Sequence, residues 1–200
     1  EPEPFVIWPE DREHTAMKPL NHCPAITWCD NGDLVAAWFS TDEEPDREMR
    51  IMASRRRRGN ARWDAASLFF DVADRNLTGT ALLNDGKGAL FHLNGVDTGE
   101  GWGTLALALR TSTDCGATWS KPRLVNPHHQ PRNQVIASAM ITREGHLVQP
   151  CDAIHDGCGG TAIHISRDGG VTWTDPAAGT GKPVYAPGQS GGCIAGIHGA

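Results

Sequence analysis

Two hundred residues with a net charge of −6, 21% charged side chains and 39% hydrophobic ones describe an acidic chain of ordinary apolar content. That balance excludes a nucleic-acid partner, which needs a basic face, and no apolar run approaches the roughly 20 residues of a membrane span. Twenty-three glycines and thirteen prolines point instead to a turn-rich β protein.

In chain order, residues 1–20 are Pro-rich and irregular, opening on Glu1-Pro2-Glu3-Pro4 without the pattern of a signal peptide. Cys23 to Cys29 reads as a strand, Asp30-Asn31-Gly32-Asp33 as a tight turn, and Leu34 to Phe39 as the next strand. An acidic loop over Ser40 to Glu48 leads to a third strand at Met49 to Ser54. The run Arg55-Arg56-Arg57-Arg58 reads as a solvated hairpin tip, with an anionic contact as its alternative. Asn76 to Leu83, a turn at Asn84-Asp85-Gly86, Ala89 to Leu93 and Leu105 to Leu109 repeat the order. Gln134 to Thr142, a turn at Arg143-Glu144-Gly145, His146 to Gln149 and Thr161 to Ile165 repeat it again, and a further strand begins near Cys193.

Two of these strand series end in the same motif. Ser112-Thr113-Asp114-Cys115-Gly116-Ala117-Thr118-Trp119 and Ser166-Arg167-Asp168-Gly169-Gly170-Val171-Thr172-Trp173 share Ser-x-Asp-x-Gly-x-Thr-Trp, 54 residues apart. Such a turn works because Asp accepts hydrogen bonds from its own backbone, Gly takes a positive φ and Trp folds back as an apolar plug. Ser54, Gly59 and Trp63 mark a worn third copy, with an insertion and with Arg in place of the Asp. The period predicts an all-β propeller of four-stranded antiparallel blades, at approximately 21–71, 72–126 and 127–185, with the next starting at 186–200. Three blades and a start cannot close a ring, so the chain reads as the N-terminal part of a six- or seven-bladed propeller.

The motif resembles the Asp-box, or BNR repeat, of sialidases and their relatives. The resemblance implies that Asp114 and Asp168 are structural turn residues, and that activity lies at the other end of the blades. There the inner strands begin, near Asn21-His22-Cys23-Pro24, Asp74-Arg75-Asn76 and Arg132-Asn133-Gln134. Sialidases carry Arg-Ile-Pro before the first inner strand, and that Arg grips the substrate carboxylate. His22 stands in that place here, a pattern closer to the divergent BNR-2 group, whose relatives include propellers that cleave rhamnose linked to glucuronate with a mouth histidine. The resemblance therefore implies His22 and an acidic loop residue as catalytic, with Asp46 the nearest match and Asp42 and Glu48 its rivals. Arg75, Arg132, Gln134 and His155 are the expected substrate-binding residues, with Asp152 and Trp102 nearby.

The expected activity is cleavage of a glycosidic bond in an acidic oligosaccharide or glycoconjugate. Its alternatives are a uronate-directed lyase or rhamnosidase-like enzyme, in the lyase case with His22 as base, and a non-catalytic binding propeller. No Cys-x-x-Cys or His-x-x-x-His grouping occurs, so neither metal nor cofactor is expected. Six cysteines fit secretion, and leave localisation open but tilted toward an extracytoplasmic chain. Cys151 and Cys158 are near enough to close a short loop, Cys23 and Cys29 share strand parity, and Asn76-Leu77-Thr78 is a glycosylation sequon.

Overall fold

The computed structural model describes residues 6–11, 15–43, 49–98, 105–126, 134–135, 138–152 and 161–176. Alternating apolar residues and Gly/Asp turns build three antiparallel sheets in sequence order. The first holds β1 (Leu20–Trp28), β2 (Leu34–Thr41), β3 (Arg50–Arg56) and β4 (Ser67–Phe70); the second holds β5 (Leu77–Asn84), β6 (Leu90–Asp97), β7 (Leu105–Ser112) and β8 (Arg123–Leu124). Both are simple meanders, each strand pairing with the next. The third contains β9 (Gln134–Val135), β10 (Met140–Ile141), β11 (Leu147–Asp152) and β12 (Thr161–Ser166).

Three details differ from the sequence reading. The expected strand Gln134 to Thr142 is two short pieces, β9 and β10, which pair with opposite ends of β11. The strands β4 and β8 follow the tryptophan turns and are too short to leave a periodic signal. A third edge of this kind is reduced to Thr174 pairing with Ile165. The apolar runs also continue further than expected into polar residues, as β6 does to Asp97 and β7 to Ser112.

Strand parity decides which sheet each residue meets, because directly opposite residues share a face. Ala37 opposite Ala53, and Phe39 opposite Ile51, join Leu77, Leu82 and Leu90 of the second sheet in one core. The other parity of the second sheet, Ala81, Leu93 and Leu109, meets Val135, Leu147 and Trp173 of the third. Trp38 and Met52 face away from both, and the lead-in residues Ile7 and Trp8 cover them together with Trp63. On this outward face Ile26 and Trp28 remain 58% and 61% exposed.

The first strands converge, β1 lying against β5 and β5 against β9. Gly79 makes that approach possible. A Cβ on it would stand 2.2 Å from the Val135 carbonyl oxygen and 3.6 Å from the Cys23 Cβ.

Both intact Asp-boxes have the same internal geometry. The Ser112 hydroxyl donates to Asp114 at 2.7 Å and accepts from the Gly116 N–H at 2.8 Å; Asp114 also accepts from the Thr118 N–H at 2.9 Å and its hydroxyl at 2.5 Å. In the third sheet Ser166 donates to Asp168 at 2.8 Å, and Asp168 takes the Thr172 N–H at 2.8 Å and the Thr172 hydroxyl. The Thr hydroxyls are the main reason that both carboxyls are held down at about 2.

The worn copy is repaired from elsewhere. Asp33, at the β1–β2 turn, accepts from the Arg58 N–H at 2.8 Å and from Arg55 Nη1 at 2.9 Å. That backbone N–H is the largest cause of its lowered pKa. A carboxylate thus still ties the turn, although Arg occupies the motif's own Asp position. Trp63 keeps the plug role and is 8% exposed, like Trp173.

Candidate functional site at the start of the inner strands

Antiparallel pairing puts the starts of β1 and β5 at the same end as the β2–β3 and β6–β7 connections, opposite the Asp-boxes. Over the eight residues of β2 the two ends lie roughly 25 Å apart, at about 3.3 Å per residue. Asp114 and Asp168 therefore have no access to chemistry at this end, as the structural reading requires.

His22 pairs with Phe39, and the two rings stack at 5.4 Å with 22° between planes. The ladder slips between His22 and Ala25, and Cys23 within the slip takes a φ of 50°. Such left-handed backbone is uncommon for a residue with a Cβ and recurs at functional sites. Beside it, Asn21 accepts from Trp38 Nε1 at 2.9 Å and donates to the Lys18 carbonyl at 3.0 Å. The start of β1 is thereby anchored on both sides while the imidazole stays exposed. An exposed, oriented imidazole can donate, accept or transfer a proton.

Arg75 lies at the start of the second sheet. Its N–H donates to the Val72 carbonyl at 3.1 Å, and the preceding Asp74 takes a φ of 58°. The side chain is half-buried, and among the described residues its guanidinium has no hydrogen-bond or ion-pair partner. A permanently charged fork without an acceptor suits an incoming carboxylate. Next to it Asn76 is buried and accepts from the Met49 N–H at 3.2 Å, while its carbonyl takes the Asp97 N–H at 2.9 Å. Asn76 thus fastens the first sheet to the second at this end.

Of the acidic-loop residues, Asp42 is engaged by Lys18 Nζ at 2.7 Å in a pair open to solvent. Asp46, its rival Glu48, Arg132, His155 and Trp102 lie outside the described residues. Gln134 opens β9 and pairs with Asp152 across the ladder. His164 is 1% exposed within the third sheet, in keeping with a packed residue. The sequence reading missed Phe39 as the platform for His22 and Lys18 as the partner of Asp42. Phe39 was legible only as an apolar residue of β2, since its place opposite His22 depends on register. Among the described residues no group of His, Cys, Asp and Glu could hold a metal ion.

Residues 32–188 match the BNR repeat-like domain. The chain belongs to the BNR repeat-like family. Its fold is that of sialidase propellers, of which it spans a part. It is similar to Trypanosoma rangeli sialidase in complex with sialic acid, at 17% identity and a TM-score of 0.62, over 78% of this chain and 30% of that one. The NanB sialidase of Streptococcus pneumoniae gives 10% identity and a TM-score of 0.65, over 86% and 46%. A Dyadobacter fermentans protein of unknown function gives 15% and 0.63, over 78% and 53%. The BNR repeat-like chain thus covers about half or less of these structures. A comparison with curated protein sequences returned no match. Among the described residues no helix is long and apolar enough to cross a membrane.

Proposed function

We propose that this BNR repeat-like chain contributes the first blades of a propeller enzyme that cleaves a glycosidic bond in an acidic glycan. The observation that carries the reading is Arg75, a half-buried guanidinium without a partner among the described residues, at the end where the inner strands begin. A planar, permanently charged fork is matched by a sugar carboxylate, which can accept two parallel N–H hydrogen bonds from it. The sialic acid bound by the Trypanosoma rangeli enzyme is one sugar of that class.

In this reading Arg75 and Arg132 hold the carboxylate, and Gln134 and His155 hold sugar hydroxyls. Asp46 protonates the leaving oxygen. His22, fixed in plane by Phe39, contacts the substrate at the position where sialidases carry an arginine, and takes part in proton transfer. The test is a product assay on the full-length protein, with sialosides and with rhamnosyl-glucuronate glycans. His22→Ala is expected to keep the fold, read by circular dichroism, and to lose about 10²- to 10⁴-fold in turnover. Turnover near that of the parent would remove His22 from the mechanism. An unsaturated uronate absorbing in the ultraviolet would replace hydrolysis by elimination.

A further inference from the structure

The contact between the first sheet and the second Asp-box holds a pair of thiols that the proposed reaction does not use. Cys29 directly follows β1 and is 3% exposed; Cys115 is the residue before the motif glycine in the Asp-box of the second sheet and is half-buried. Both thiols are free, and both belong to the same apolar cluster between the sheets. The Cys29 thiol donates to the Cys115 carbonyl oxygen at 3.5 Å, so its sulfur already touches the Cys115 backbone. One guanidinium serves both residues. Arg55 Nη2 donates to that same carbonyl at 2.7 Å, and Nη1 lies 3.9 Å from the Cys29 sulfur and 2.9 Å from Asp33.

We propose that Cys29 and Cys115 are partners in a reversible disulfide that fastens the Asp-box of the second sheet to the first. Burial raises the Cys29 thiol's pKa, Arg55 opposes that rise, and the charge of Cys115 adds to it, as expected of two sulfurs within electrostatic reach. Cys115, half-buried where Cys29 is 3% exposed, is the thiol that a reagent reaches first. As a thiolate it attacks a low-molecular-weight disulfide such as oxidised glutathione, forming a mixed disulfide and releasing one thiol. Cys29 then loses its proton and displaces the second thiol, which closes the protein S–S bond. Two electrons pass to the reagent disulfide, and the two cysteine protons leave with the two reduced thiols. The cross-link spans 86 positions of sequence, a separation at which restricting the unfolded chain has a large effect.

The full-length protein, incubated with oxidised glutathione and digested without reductant, decides the matter by mass spectrometry. The expected result is a linked pair of peptides containing Cys29 and Cys115, lost on reduction with a phosphine. A Tm several degrees above that of the reduced protein should accompany it, and Cys29→Ala or Cys115→Ala should show no such rise. A glutathione adduct on Cys115 with Cys29 still open to alkylation after unfolding would overturn the assignment. A link from Cys29 to any other cysteine would do the same. Peptide mapping of the parent protein suffices if either variant fails to fold.

Discussion

Arg75 and Asp168 are both charged, yet their surroundings give them opposite tasks. Asp168 is fully engaged by Ser166 and Thr172, so its charge is spent on closing a turn. Arg75 has no such partner among the described residues, and on the proposed reading its charge meets a ligand's carboxylate. Arg75→Ala is expected to raise KM for an acidic glycan about 10- to 100-fold with kcat less affected, the worth of one charge-assisted hydrogen bond of about 1.5–3 kcal/mol. Arg75→Lys should recover only part of this, because a point charge lacks the fork. An unchanged KM in steady-state kinetics would assign Arg75 to the scaffold.

The Asp-box carboxylates also set a pH window. The Asp168 carboxyl is held at about 2, mainly by the Thr172 hydroxyl and then by the Thr172 N–H. An unfolded Asp titrates near about 3.9. The unfolded chain therefore takes up the proton first, and the stabilisation is complete above about pH 4 and lost as pH falls toward about 2. Asp168→Asn should lower the urea midpoint at pH 7, and the difference from the parent should narrow at pH 3. A difference that stays constant between the two would mean that the charge is not what closes the turn.

At the scale of elements, each intact Asp-box is also a docking piece for the sheet before it. Arg55 of β3 donates to the Cys115 carbonyl at 2.7 Å. Arg123 of β8 donates to the carbonyls of Gly170 and Val171. Gly170 needs to be Gly because a Cβ would stand 2.6 Å from Phe91 Cε1 of the second sheet. The motif is thus kept by its own turn and by its neighbour together.

Between the first and second sheets lies a buried basic group that has no carboxylate partner among the described residues. Arg110 packs its guanidinium 4.5 Å from the ring centres of both Phe69 and Phe70 and 5.4 Å from that of Trp119. Burial pushes its pKa down to about 10, so it stays charged at neutral pH. Its Nε donates to His92 Nδ1 at 3.1 Å, which leaves His92 Nε2–H to donate to Thr80 Oγ1 at 2.7 Å. Burial first and the Arg110 charge second hold His92 neutral, well below its ordinary value.

The unfolded chain binds a proton at this histidine below about pH 6.5 while the folded one does not. Stability from His92 is therefore complete above that value and falls as pH is lowered through it. Urea midpoints measured from pH 7 to pH 5 should drop, and less steeply in His92→Gln, whose amide can serve both partners without titrating. Parallel curves for the two proteins would show that His92 does not set the acid sensitivity.

For the whole molecule, the convergence of β1, β5 and β9 is the controlling feature, since it brings His22 and Arg75 to one end. Gly79→Ala would force the Val135 backbone away from a 2.2 Å overlap. An overpacked site of this kind typically loses about 1–3 kcal/mol, readable in urea titration. A midpoint equal to the parent's would mean that the inner strands can separate without cost. A loss of glycan binding beyond the stability change would tie the convergence to the site.

The sheets were largely legible because their signals are local. Period-two runs such as Leu105-Ala-Leu-Ala-Leu109, closed by Gly and Asp turns, give strands wherever they occur. The repeated Ser-x-Asp-x-Gly-x-Thr-Trp set the spacing of the sheets and separated Asp114 and Asp168 from catalysis. The two-residue strand β8 and the divided β9 and β10 were not legible, because pairing partners rather than composition create them.

His22 and Arg75 could be named from the sequence by their place before each inner strand. Their circumstances could not. The stacking of His22 on Phe39 needs the register of β1 on β2, and whether Arg75 has a partner among the described residues depends on everything packed around it. The loan of Asp33 to the worn turn, and the meeting of Cys29 with Cys115, join residues from separate hairpins. Strand-and-turn grammar, and hence the fold, is written locally along the chain, because hydrophobic alternation and turn chemistry act over a few residues. Which of its charges pair with one another is set by the folded packing, because that depends on contacts between distant parts of the chain.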